Sequence, residues 1–177
     1  MTRWLTPLQL QAWMRLEAVV ELLPGVLDGQ LLRDAGLTHF QYLVMAKLSE
    51  ADRRALRMTQ LAASTNATLP RLSHVVSNLE ERGYVERRAC PGDRRATLVH
   101  LTDAGMDKVV ATAPGHVANV RRYVIDRLTD TQVTQLDQIT AALLEELDPD
   151  DQLAVNQGIA RNAAAARANE TAHPDRD

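Results

Sequence analysis

Residues 58–101 place two patterns back to back, and no other stretch narrows the fold of this chain as much. Residues 58–83 read as helix, turn, helix. Thr59 is placed to cap a short first helix through Ala63, and Ser64-Thr65-Asn66-Ala67 form the turn, with Asn66 one of the few non-glycine residues that accepts positive φ. Thr68 caps the second helix. Pro70 falls within its first turn, where the amides lack helical partners, and Gly83 stands where a left-handed C-terminal stop belongs. Leu72, Val75, Val76 and Leu79 form the stripe that this helix buries. Residues 84–88 and 96–101 read as two strands, with Thr97, Val99 and Leu101 on one face, around a Pro91-Gly92 centre of the type II kind. Arg94 and Arg95 follow that turn directly. A helix able to enter a groove, followed at once by an arginine-tipped hairpin, describes a winged helix.

The physical logic of each half is separable. In a helix-turn-helix the first helix braces a second, whose N-terminal residues point at base edges. The outward positions here are Thr68, Pro70, Arg71, Ser73, His74 and Ser77. Arg71 has the fork to meet guanine O6 and N7, Ser73 and His74 can meet bases or phosphates, and Pro70 suits a thymine methyl. Such a face also serves as plain solvated surface, and the hairpin moves the balance. Folding alone does not require two adjacent guanidinium groups beside a tight turn. Arg94 and Arg95 suit a narrow, negative minor groove. Arg87 and Arg88 alternate along the strand, so the expectation is one facing phosphate and the other a carboxylate. Arg53, Arg54 and Arg57 read better as a solvated loop than as phosphate contacts.

A net charge of −3 looks wrong for a nucleic-acid binder until it is mapped. Residues 82–95 hold five arginines against Glu86 and Asp93, whereas residues 148–177 hold six acids against three arginines. The local field at a contact surface outweighs the sum. With 45% hydrophobic residues over 177, the chain can bury a core, and with 3% aromatics that core must be aliphatic. No run of about 18 apolar residues appears, nor a signal-peptide pattern, so a cytoplasmic protein without a membrane partner is expected. Cys90 is the single cysteine, and an unreactive turn residue is a better reading than a redox switch. His39, His74, His100, His116 and His173 are scattered without metal-ligand spacing, and no cofactor is expected. Neither a phosphate loop, a nucleophile elbow nor a carboxylate pair is present, so the chain does not read as an enzyme.

Helical patterns flank the winged module. Leu8, Ala12, Leu16, Val19, Val20, Leu23 and Leu27 recur at three- and four-residue steps after Thr6 and Pro7, with a kink or break expected at Pro24-Gly25. A second helix starts at Thr38, and Arg57-Met58 suit a very short strand. Thr102 restarts a helix with Asp103 at its positive end; this helix is expected to be interrupted near Pro114-Gly115 before another over 130–147. The fold class is thus mainly α with a small β-wing. Residues 1–35 and 103–148 flank a lobe at 36–102, and a polar, Ala-rich, flexible tail follows over 149–177, with at most one weak helix near 150–167. The apolar stripes on the flanks need a cover, which a two-fold homodimer supplies while doubling the contacts. Trp13, Val20 and Tyr42 are candidates for an effector pocket, although core or interface packing explains such aromatics as well.

The run Leu79-Glu-Glu-Arg-Gly-Tyr-Val-Glu-Arg87, then Asp93-Arg94-Arg95, then Leu101-Thr-Asp-Ala-Gly105, resembles the MarR family of winged-helix regulators. The likeness extends upstream through Gly36–Val44 and Leu56–Ala62, covering roughly residues 8–147. It implies a homodimer held by the N- and C-terminal helices on a palindromic double-stranded operator, with residues 68–82 as recognition helix and Arg94 in the minor groove. It also implies repression relieved by a small, often phenolic, molecule bound between the dimerisation helices and the lobe. A winged-helix protein-interaction module without DNA binding, an anti-regulator, is the alternative, and the intact arginines argue against it.

Overall fold

The computed structural model describes residues 2–90 and 93–160, with backbone alone for Asp93, Arg94 and Arg95. Helix α1 spans Pro7–Ala35 behind a capping box in which Thr6 and Gln9 satisfy each other's backbone amides, with Pro7 at the first helical position. Gly36 stops it at φ 65°. Helix α2, His39–Glu50, repeats the device with Thr38 and Gln41. Strand β1 is Ala55–Arg57; α3, Met58–Ser64, and α4, Leu69–Glu81, form the helix-turn-helix. Strands β2, Val85–Cys90, and β3, Asp93–Leu101, make the wing, and β1 completes an antiparallel sheet of order β1-β3-β2. Helices α5, Asp103–Tyr123, and α6, Asp130–Leu147, follow.

Leu31 of α1, Val44, Met45 and Leu48 of α2, Leu61 of α3, Leu72, Val76 and Leu79 of α4, and Val99 and Leu101 of β3 are fully buried together. The core is therefore aliphatic, as the composition requires, and α4 buries Val76 where Val75 lies only partly covered. The turn before α4 has Asn66 at φ 47°, as its residue type suggests. Among the described residues no helix is long and apolar enough to cross a membrane.

Several expectations need correction. Neither proline breaks its helix: α1 runs through Pro24 and α5 through Pro114. Both prolines are exposed, so the carbonyl that loses its helical donor faces solvent, which supplies a partner. Strand β1 ends at Arg57, which precedes α3 directly, so Thr59 lies inside that helix rather than capping it. The wing strands run longer than the alternation suggested, to Cys90 and from Asp93. Arg94 and Arg95 therefore belong to β3 itself. The ladder pairs Ala89 with Thr97 and then Cys90 with Asp93, so Arg94, Arg95 and Ala96 bulge opposite one step of β2. Pro91 and Gly92, the centre expected for a type II turn, lie outside the described residues, as does 161–177.

After Pro149, where at most one weak helix near 150–167 is expected, residues 155–160 are helical and the turn ahead of them is tied down. Asp148 accepts the amides of Gln152 and Leu153 at 2.9 Å each, and Lys47 Nζ donates to Leu153 O at 2.6 Å. The tail thus lies against α2 of the lobe.

Candidate nucleic-acid interface

Helix α4 begins with Thr68, whose hydroxyl accepts the Arg71 amide at 3.4 Å, so this side chain serves first as a cap. Pro70, Arg71, Ser73 and His74 are exposed on the same N-terminal half of the helix, together with Leu69, which is 47% exposed at its first position. Leu69 escaped the sequence reading because an apolar residue between a cap and a proline scores as core. Here it projects beside the groove-facing end.

Arg71, Ser77 and Arg87 are held by the protein itself. The Arg71 guanidinium lies over the Phe40 ring at 4.2 Å, so reaching a base requires it to leave that ring. Ser77 is partly buried, and its hydroxyl donates to Ser73 O at 3.0 Å. Arg87 departs most from expectation. It donates from one terminal nitrogen to Glu80 Oε2 at 2.5 Å, and from the other to Ser73 O at 2.9 Å and Ser77 Oγ at 3.0 Å. Arg88 pairs with Glu86, whose carboxylate also lies 3.2 Å from His100 Nδ1. In the chain without DNA both strand arginines therefore face carboxylates, where one of them was expected to face phosphate. Arg54 pairs with Asp103, the first residue of α5, at 2.9 Å. The backbone places Arg94 and Arg95 in the wing bulge; their side chains lie outside the described residues. Cys90 is buried at the end of β2.

Contacts from α2 fix the pose of α4. Besides the Phe40–Arg71 contact, Gln41 Nε2 donates to Asn78 Oδ1 at 2.7 Å; the stop of α1 adds a further tie, since Arg82 at the end of α4 donates to Gly36 O at 3.0 Å. Gln41 does this while its carbonyl caps α2, a double role that spacing alone does not reveal. The start of α2 is tied back to α1, since the His39 amide donates to Asp28 Oδ1 at 2.8 Å.

Trp13, Val20 and Tyr42 do not converge within one chain. Tyr42 is buried, whereas Trp13 and Val20 are 52% and 64% exposed on the outer part of α1. Trp13 precedes Asp28 by fifteen residues, about 22 Å along a helix. Tyr42 instead sits 4.9 Å from the His116 ring of α5, which lies 5.9 Å from His39. His116 Nδ1, Asn119 Nδ2 and Gln30 Oε1 are buried there without hydrogen-bond partners among the described residues. No group of three or more metal-ligating side chains occurs among the described residues.

Burial lowers the pKa of His39, against the pull of Asp28, and burial plus the neighbouring His39 lowers that of His116. Both stay below their ordinary 6.5, so the unfolded chain takes up protons first as pH falls. Their contribution to stability is whole above pH 6.5 and is lost as pH drops below it. The melting temperature should fall between roughly pH 7 and pH 5, and less steeply in His116→Phe. Parallel curves for the two chains would remove His116 from the effect.

A family model described as the MarR family matches residues 37–97. The chain is 44% identical to Sco3205, a MarR family transcriptional regulator from Streptomyces coelicolor solved in complex with DNA, covering 85% of this chain and 94% of that one with a TM-score of 0.80. It is 26% identical to CouR from Rhodococcus jostii RHA1, bound to p-coumaroyl-CoA, over 76% of this chain and 90% of that one, at a TM-score of 0.65. It is also 25% identical to the transcriptional repressor MprA of Escherichia coli K12, over 70% of this chain and 69% of that protein. The lobe, its wing and the flanking helices agree with these likenesses, and the chain belongs to the MarR family.

Proposed function

We propose that this chain is a transcriptional regulator that binds a palindromic operator as a homodimer and represses, with a small molecule relieving repression. The observation that carries the reading is the exposed N-terminal half of α4, where Pro70, Arg71, Ser73 and His74 project beside an arginine-bearing wing. Residues 36–102 form the reading lobe, and 1–35 with 103–148 form the dimerisation part. The likeness to a regulator solved on DNA and to a named repressor supports both halves of the statement.

Thr68 to His74 meet the major groove, with Arg71 exchanging Phe40 for a base edge, and Arg94 with Arg95 enters the adjacent minor groove. Two lobes must then stand roughly 34 Å apart, one turn of the duplex. Contacts at each step give α1 a hold on that spacing, because Asp28 binds the start of α2, the start of α2 binds α4, and Gly36 at the end of α1 accepts from Arg82. A ligand seated beside the Tyr42–His116 pair bears on this junction, and the unpartnered His116 Nδ1 would receive one of its polar groups. The ligand acts by favouring a spacing of the lobes that fits the operator poorly. CouR, bound to p-coumaroyl-CoA, supports a ligand carrying an aromatic acyl group.

Titration of a duplex selected by the chain from a random-sequence pool tests the wing. Arg94→Ala should weaken binding and lower the slope of log affinity against log salt by about 0.9 for each phosphate left unneutralised. Unchanged affinity and slope would take the wing out of the interface.

A further inference from the structure

Strand β2 is an edge of the sheet, and an edge strand presents amides that lack ladder partners. At Arg87 that outward amide donates to Glu80 Oε1 at 2.8 Å, while its guanidinium holds Glu80 Oε2. Glu80 lies in the last turn of α4, so one carboxylate clasps both backbone and side chain of a wing residue. The second terminal nitrogen of Arg87 reaches Ser77 Oγ and Ser73 O, one and two turns further back along α4. Both side chains are partly covered, at 27% exposure for Arg87 and 37% for Glu80. The contacts run along the recognition helix from its last turn into its reading half. A planar fork with several donors can span such acceptors, and an ammonium cannot.

We propose that Arg87 is a positioning residue. With Glu80 it locks the wing to the recognition helix, fixing the angle at which the two enter one duplex, and it does not bind phosphate. The clamp rests on the DNA-binding reading above. It also assigns a role to Glu80, a carboxylate in the recognition helix that otherwise opposes a polyanion, and it removes Ser77 from base reading because its hydroxyl is engaged on both sides.

Removing a negative charge near DNA should strengthen binding on electrostatic grounds, so Glu80→Gln separates the two roles of its partner. The full chain and the duplex it selects from the random pool serve for Glu80→Gln, Arg87→Gln and Arg87→Lys. The clamp predicts that each weakens binding by about tenfold, with the wild-type salt slope retained. Hydroxyl-radical protection in the minor groove under the wing should fade while the major-groove contacts of α4 persist. Arg87→Lys keeps the charge, so a phosphate contact would survive in it and a clamp would not. Glu80→Gln is nearly isosteric, and melting of each variant separates a loosened wing from an unfolded lobe. Tighter or unchanged binding by Glu80→Gln, with Arg87→Lys behaving as wild type and Arg87→Gln losing slope, would overturn the clamp alone. Failure of the wild-type chain to enrich any duplex would overturn the DNA-binding reading and the clamp with it.

Discussion

Gly105→Ala should destabilise the lobe by about 3 kcal/mol, the upper part of the range for overpacking a filled site. Gly105 is buried in the first turn of α5, where its amide donates to Thr102 Oγ1 at 3.0 Å. Thr102 in turn holds the exit of α4, with its hydroxyl 2.7 Å from Gly83 O and 3.1 Å from Tyr84 O, and its amide bonded to Tyr84 O. A Cβ on Gly105 would stand 2.1 Å from Tyr84 O, 2.7 Å from Leu101 Cδ1 and 3.0 Å from Tyr84 C. Two of these atoms are backbone at the root of the wing and cannot swing aside. Helix α5 must move or the ends of β2 and β3 must part, and either change unseats the wing. For a chain of this size the loss corresponds to a fall in melting temperature of roughly 6–12 °C, readable by far-ultraviolet circular dichroism. A shift under about 2 °C would show that the helix start yields far more easily than this packing allows.

This junction shows what the sequence makes legible. Thr102, Asp103 and Gly105 are recognisable as a helix start from residue type alone, because caps and first-turn acids act locally. The same holds for the helix starts at Thr6 and Thr38, Asn66 in its turn and the stop at Gly83. The need for glycine at 105 depends on a wing that approaches it across the fold, and no local rule reports that. Pro24 and Pro114 misled for the opposite reason. A local rule predicted a kink or break at Pro24 and an interruption near Pro114, while exposure of the disturbed turns let both helices continue.

The interface follows the same division. The outward positions of α4 can be read from the 3.6-residue period, and Pro70, Arg71, Ser73 and His74 project as that period places them. Arg87 could not be read in this way. Strand alternation assigns it a side, but its partner Glu80 lies across the turn at Gly83 and Tyr84, where neither helix nor strand periodicity carries over. The effector candidates stand apart within one chain, because Trp13 is exposed on the outer part of α1 while Tyr42 is buried against His116. Gln30, His116 and Asn119 became visible only as buried polar atoms in need of partners.

A double substitution, Leu16→Asp with Val20→Asp, should turn the protein into a monomer and lower operator affinity at least about a hundredfold, because a second half-site then no longer benefits from linkage to the first. All the described residues from 2 to 22 are exposed, and they include Leu8 at 75%, Trp13 at 52%, Met14 at 59% and Val20 at 64%. Ile139 and Leu143 of α6 are 59% and 42% exposed. Val19 and Leu23 line an apolar groove of about 410 Å³ with Tyr123, Leu128, Leu136 and Ile139, joining the two flanks into one surface. Apolar surface this extensive and contiguous marks an interface rather than a solvated face. In the homodimer proposed above, a second copy would cover it with the same surface, as an isologous contact requires. Leu16 and Val20 lie one turn apart on α1, so two carboxylates would enter the interface together, unpaired and close to each other. Neither residue touches the lobe core, so the melting transition of the lobe should persist in the monomer. Sedimentation equilibrium and operator titration read the two effects separately. A variant that stays dimeric would exclude this part of α1 from the interface, and a monomer with wild-type affinity would show that one lobe suffices for recognition.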